Sequence, residues 1–112
     1  EQVDLEKLRE WEEGLAKYAE LEISRLAAES SDYQPIESMV QDKGFKQYHG
    51  QQQFWSKQLQ QAAGPVVLSG DARFYYSGNA MAVVLDRLLP GWKTRALPGG
   101  EYLDDLLKEA VN

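Results

Sequence analysis

Apolar side chains recur at three- and four-residue steps along several stretches of the chain, a spacing that predicts amphipathic helices. The longest stretch covers residues 1–29, where apolar steps lead from Leu5 through Leu15 and Ala19 to Ile23. Polar residues end this pattern after residue 29, so the sequence predicts one long N-terminal helix there.

The same spacing predicts further helices in the rest of the chain. They are a short helix between Pro35 and Gly44, a glutamine-rich helix at 51–63, a strongly apolar helix at 72–89 capped by Asp71, and a final helix at 101–111. Residues 92–97 are predicted to form a short turn or helical piece, and Val66 to Gly70 an extended connector. The fold class expected is therefore all-α, a small irregular bundle of four to five helices with at most one short extended segment.

The helical spacing also predicts which side chains form the core. The expected set is Leu15, Ala19, Phe74, Met81, Leu85, Leu88, Leu103 and Leu106. With 112 residues, 43% of them hydrophobic, the chain suffices for one small domain spanning residues 1–112.

Composition narrows the classes of partner. The formal net charge is -6, which argues against nucleic acid or an anionic membrane surface, because both require a basic face. No apolar run reaches the length of a membrane span. The chain lacks cysteine, so disulfides and thiolate metal sites are excluded. The absence of cysteine is compatible with a cytosolic protein and with an exported bacterial protein, so it does not identify the compartment.

A glycine interrupts the long first helix at residue 14, directly after Glu13. Glycine within a helix costs about 1 kcal/mol relative to alanine, so its presence suggests that another helix or a ligand approaches the backbone there. Glu13 is then a candidate functional carboxylate. The alternative is that Glu13 is solvated and pairs with Lys17 one turn later, as Glu–Lys pairs at i,i+4 stabilise helices.

The segment from Glu13 to Tyr18, Glu-Gly-Leu-Ala-Lys-Tyr, resembles the helix that carries the third zinc ligand in gluzincin metallopeptidases. In that clan two histidines of an HExxH helix supply the first two ligands, and a glutamate before a glycine supplies the third. The resemblance implies that Glu13 binds zinc in the intact protein.

A second segment, Arg73 to Asp86, resembles the Tyr-x-Lys-Gly helix of gluzincin aminopeptidases, in particular the glycyl aminopeptidases. There the tyrosine three residues before the glycine donates a hydrogen bond to the oxyanion of the tetrahedral intermediate. The matching residue is Tyr75. The alternative for Tyr75 is that it serves only in aromatic packing, and for Tyr76 packing is the expected role. Ser77 departs from the family's lysine.

Near the C-terminus, the segment Tyr102 to Leu107 is similar to the Ser-Leu-Asp-Asp segment of the same family, so three short motifs follow in the family's order. The chain contains no HExxH, and its only histidine, His49, has no histidine partner at helical spacing and is not expected to be a ligand. A chain that opens on Glu1 rather than methionine is expected to be an excised piece, corresponding to the C-terminal half of a peptidase-like catalytic domain.

Three interpretations follow. In the first, the chain is a part of a zinc-dependent peptidase, unable to catalyse alone, whose intact form takes zinc and a peptide substrate. In the second, it is a non-catalytic helical interaction module, and in the third an unrelated helical domain. A homodimer is also expected, because without the HExxH half the apolar face around Trp11 and Leu15 would be uncovered.

Overall fold

The computed structural model describes residues 1–45, residue 60 and residues 72–112. Within these residues it contains five helices and no strand, which confirms the all-α fold class. They are α1 (Gln2–Glu29), α2 (Glu37–Gln41), α3 (Ala72–Leu88), α4 (Trp92–Ala96) and α5 (Leu103–Val111). The predicted helix at 51–63, the Val66–Gly70 connector and the Asp71 cap lie outside the described residues. No helix in the described ranges is long and apolar enough to cross a membrane.

Helices α1 and α3 form the main packed pair, and they run parallel. The pairing advances along both helices together: Glu6 forms an ion pair with Arg73 at 3.3 Å, and Gly14 lies against Gly78. Further along, the hydroxyl of Tyr18 donates to Asp86 at 2.7 Å. A parallel pair requires the intervening chain to return from the end of α1 to the start of α3.

The core lies where α1, α3, α4 and α5 meet. Its buried cluster is Leu15, Tyr18, Ala82, Leu85, Trp92, Ala96, Leu103 and Leu106, with Met81 among the partly buried residues packed against it. Phe74 is buried as well. The sequence prediction is therefore confirmed for five residues: Leu15, Phe74, Leu85, Leu103 and Leu106.

Two predicted core residues are exposed. Ala19 lies at the surface because the buried face of α1 continues from Leu15 to Tyr18, three residues on, instead of four. Leu88 is 49% exposed, and its neighbour Leu89 packs against the core in its place. The apolar steps at Ile23 and Leu26 also point to solvent, since α1 extends past its crossing with α3.

The C-terminal part folds back on this pair through a sharp turn at Gly91. Gly91 has φ +88, a left-handed backbone conformation that glycine adopts without strain, and α4 begins immediately after it. Arg95 on α4 then binds two carboxylates, Glu101 at 2.7 Å and Glu109 at 2.8 Å. These surface ion pairs link α4 to α5, while Leu103 and Leu106 of α5 complete the core.

Candidate functional site

The two glycines of the candidate motifs are in direct contact. A Cβ placed on Gly14 would lie 2.4 Å from the Cα of Gly78, and one placed on Gly78 would lie 2.5 Å from the carbonyl oxygen of Glu10. Side chains cannot occupy such a gap, so both positions require glycine for the helices to cross this closely. Of the two explanations for a mid-helix glycine, the approach of another helix is the one found. Backbone atoms of the two helices fill the space between Gly14 and Gly78.

Glu13 and Tyr75, the two candidate site residues, flank this crossing. Glu13 directly precedes Gly14 and is half-buried, while Tyr75 lies one turn before Gly78 and is 36% exposed. Lys17 pairs with Glu20 at 3.2 Å, and no ion pair joins it to Glu13 among the residues that the structure describes. The structure therefore does not show the alternative, in which Glu13 stabilises the helix by an ion pair with Lys17.

The surroundings of the crossing are poorly solvated. Glu10, one turn before Gly14, is half-buried, and this burial raises its pKa, with the negative charges of Asp104 and Glu6 adding to the effect and Arg73 opposing it. The carboxylate of Glu10 is therefore less well hydrated than one on an open helix face, and the positive charge of Arg73 offsets part of that cost.

Beyond the glycines, the two motifs meet a second time at the carboxylate of Asp86. Its oxygens accept hydrogen bonds from the hydroxyl of Tyr18 at 2.7 Å and the indole N–H of Trp92 at 3.0 Å. The ammonium of Lys93 lies 3.1 Å away and 5.2 Å from the centre of the Tyr18 ring. Tyr18 and Trp92 pack edge to face with their ring centres 5.6 Å apart.

This cluster shifts the protonation of its members. Burial raises the pKa of Asp86, but hydrogen bonds from Tyr18, Trp92 and Lys93 and the positive charge of Lys93 outweigh it and lower that pKa overall. The pKa of Lys93 is raised by its contacts with Tyr18 and Asp86. An ionised Asp86 therefore links α1, α3 and α4.

Sequence analysis assigned no role to Asp86 or Trp92, although both matter to the packing. The signal that could have found Asp86 is its position as the first acidic residue after the long apolar run of α3. A shallow cavity of about 130 Å³ opens beside it, lined by Asp86, Pro90, Gly91, Trp92, Lys93 and Thr94. Since Asp86 already has three partners, we assign this cluster a structural role.

The apolar face of α1 that was expected to lack cover is covered. Leu15 is 8% exposed, and the indole N–H of Trp11 donates to the carbonyl oxygen of Ala96 at 2.9 Å. The reason given for a homodimer, an exposed face around Trp11 and Leu15, is therefore wrong: α4 and α5 occupy it. The homodimer itself stays a prediction.

Among the described residues, no group of three or more histidine, aspartate or glutamate side chains is arranged to hold a metal ion. Glu13 is thus the single candidate ligand that the sequence names within these ranges, and His49 lies outside them. A scan of protein-family models and searches of curated proteins and solved structures found no match to this chain.

Proposed function

We propose that this chain supplies the helical C-terminal part of a gluzincin-like zinc peptidase site, with Glu13 as a zinc ligand and Tyr75 as the oxyanion donor. The chain alone is not catalytic, because two further ligands and a general base must come from an HExxH helix outside this sequence. The observation that carries the proposal is the Gly14–Gly78 contact, through which two motifs far apart in sequence meet at one crossing.

The contacts of the fold explain most motif residues, but they do not explain the carboxylate of Glu13. Gly14 and Gly78 permit the crossing, Leu15 fills the core, and Tyr18 holds Asp86. The motif would keep its packing role with another polar residue in place of Glu13, which lies outside the core cluster. A functional role for the carboxylate is the simplest reason for its presence in this motif.

Zinc in such a site polarises the scissile carbonyl and activates a water molecule. The contribution of this chain would be to hold the metal through the carboxylate of Glu13, whose position is fixed by the crossing beside it. The phenol of Tyr75 would donate a hydrogen bond to the oxygen on which negative charge develops, a task suited to a neutral donor on a rigid helix.

The test begins with the coding sequence upstream of Glu1, where the peptidase proposal requires an HExxH helix. In the protein that carries both parts, Glu13→Gln should lose zinc, with the neighbouring Glu12→Gln as the matched control that retains it. Tyr75→Phe should lower peptide turnover by roughly 10²–10³ with zinc retained, as expected for one oxyanion donor, and Tyr76→Phe should not. Full zinc in Glu13→Gln or full turnover in Tyr75→Phe would refute the assignment.

A second candidate function, a non-catalytic interaction module, is favoured by a separate observation. Ile23 and Leu26 on the second half of α1, and Ile36 and Val40 around α2, are all more than half exposed. If a second copy of the chain covers them, the homodimer predicted from sequence forms here and not at Trp11. Sedimentation equilibrium should then show a dimer that Ile23→Lys dissociates; a monomer at high micromolar concentration argues against it.

A further inference from the structure

One of the three partners of Asp86 does not belong to the core. Tyr18 and Trp92, which donate hydrogen bonds to the carboxylate, are 8% and 2% exposed. The side chain of Lys93 is 51% exposed and reaches the same carboxylate from the protein surface, with its ammonium nitrogen 3.1 Å from an oxygen of Asp86. The core therefore builds the position that the ammonium occupies, while the cation in it comes from the surface.

That position has the chemistry of a binding site for an organic cation. The ammonium nitrogen of Lys93 lies 5.2 Å from the ring centre of Tyr18 and 5.8 Å from a ring centre of Trp92. Both distances are within the ~6 Å over which an aromatic face attracts a cation. The two rings stand at 73° to each other, so they present two aromatic surfaces beside one negative charge. Aromatic surfaces of this kind bind alkylammonium groups in proteins.

Lys93 can leave this position without disturbing the fold. A lysine held in one geometry loses rotamer freedom, and a surface ion pair gives little stabilisation in return. Its flexible four-carbon stem allows the ammonium to turn into solvent while the backbone of α4 stays in place. Tyr18 and Trp92 keep each other and the carboxylate of Asp86 as partners.

A cavity gives a ligand access to the carboxylate. It has a volume of about 130 Å³, and Asp86, Trp92 and Lys93 are among the residues that line it. A cavity of about 150 Å³ holds benzene, so there is room here for one nitrogen with small alkyl groups. Lys93 itself provides part of the cover of both rings, and its departure would enlarge the opening. The net charge of -6 also attracts cations to the chain.

We propose that Tyr18, Asp86 and Trp92 form a binding site for an alkylammonium group, and that Lys93 occupies the site until such a ligand displaces it. The ligand is a positively charged nitrogen with small alkyl groups, carried by a free small molecule or by the end of a methylated lysine side chain. Lys93 is thus an intramolecular competitor that lowers the affinity of the site. The proposal is independent of the peptidase function, so Glu13→Gln should leave binding unchanged.

The test uses the 112-residue chain and tetramethylammonium chloride as the probe, with the ionic strength held constant by sodium chloride. In NMR titrations the indole N–H signal of Trp92 should shift and saturate with a Kd that is roughly millimolar. The indole N–H of Trp11, which donates to a carbonyl oxygen instead, should not shift. Lys93→Ala should lower the Kd by about tenfold, because it removes the ion pair and the cation–π contacts that compete with the ligand.

The matched control for charge is Lys108→Ala, which removes a similarly exposed lysine from an ion pair with Asp104 and should leave the Kd unchanged. Asp86→Asn, with its fold verified by circular dichroism, should weaken binding at least tenfold. A peptide with one trimethyl-lysine distinguishes the two sources. Tighter binding than that of tetramethylammonium assigns the site to a protein side chain, and equal binding assigns it to a free small molecule.

Three results would overturn the proposal. One is the absence of a saturable shift at Trp92 in Lys93→Ala, in which the site is open. Another is an equal response to tert-butanol, an uncharged molecule of similar shape, because binding would then not depend on the positive charge. The third is an equal gain in affinity in Lys93→Ala and Lys108→Ala, which would show that only the net charge of the chain matters.

Discussion

Replacing Gly14 with alanine should push α1 and α3 apart. The new Cβ would lie 2.4 Å from the Cα of Gly78 and 2.8 Å from its carbonyl carbon. Ordinary contact begins near 3.4 Å, so the helices must separate by about 1 Å. Both atoms belong to backbone, so no side chain can rotate away, and the cost falls at the upper end of the ~1–3 kcal/mol typical of overpacking.

Alanine has a higher helix propensity than glycine, and this offsets about 1 kcal/mol of the cost. The net loss in the free energy of unfolding is therefore about 2 kcal/mol, which lowers the Tm by roughly 10 °C in a domain of this size. Urea unfolding followed by far-UV circular dichroism measures the first quantity, and a thermal scan the second. The matched control is Gly44→Ala, since a Cβ there meets nothing closer than the side-chain oxygen of Asp42 at 3.3 Å; its stability should change by less than about 0.5 kcal/mol.

The double variant Gly14→Ala/Gly78→Ala tests the same helix contact. Gly14→Ala and Gly78→Ala press on the same gap, so once the first has separated the helices, the second should cost less than it does alone. A double-mutant cycle should therefore be less than additive by about 1 kcal/mol. A Gly14→Ala protein with equal or higher stability than wild type would refute the close crossing, because it would show only the propensity gain of an open helix.

Two further predictions concern protonation and metal. Asp86→Asn should lower the free energy of unfolding by about 1–2 kcal/mol at neutral pH, because partly exposed hydrogen bonds from Tyr18 and Trp92 lose their charged acceptor. Since the folded-state pKa of Asp86 is lowered, this stabilisation is complete above its unfolded value of about 3.9 and is lost as pH falls through the folded value. The gap between wild type and variant in urea titrations should hence begin to shrink as pH falls below about 4, and a gap that is absent at neutral pH or widens on acidification would contradict the ionised cluster. The chain alone should bind zinc no better than weakly, because Glu13 and His49 are too few ligands; a stoichiometric submicromolar site in calorimetry would contradict that.

The helices were predictable because their signals are local. The apolar steps of α1, α3 and α5 and the terminators at Pro90 and Gly91 predict these elements to within a few residues. Core membership near the ends of the helices was not predictable in this way. Ala19 and Leu88 fit the spacing as well as Leu15 and Leu85 do, and their exposure follows from where α1 and α3 cross and diverge, which is a property of the pair.

The candidate site was predictable only in part. The energetic cost of Gly14 indicated a close approach in α1, but nothing in the sequence identified Gly78 as the residue that approaches it. The role of Asp86 depends on Tyr18, 68 positions earlier in the chain, and on Trp92 across a turn. No spacing rule links three residues so placed, because their proximity arises only when three helices assemble.

The parallel course of α1 and α3 has a consequence for how the chain folds. Their contacts join residues 67 and 68 positions apart, so the pair cannot form as a local hairpin, and folding must first close a long loop. For a flexible connection, closure entropy grows only with the logarithm of its length, so each doubling costs about 0.6 kcal/mol. The crossing of Gly14 and Gly78 therefore joins residues far apart in the chain, and the rate at which it forms depends on that separation more than its final stability does.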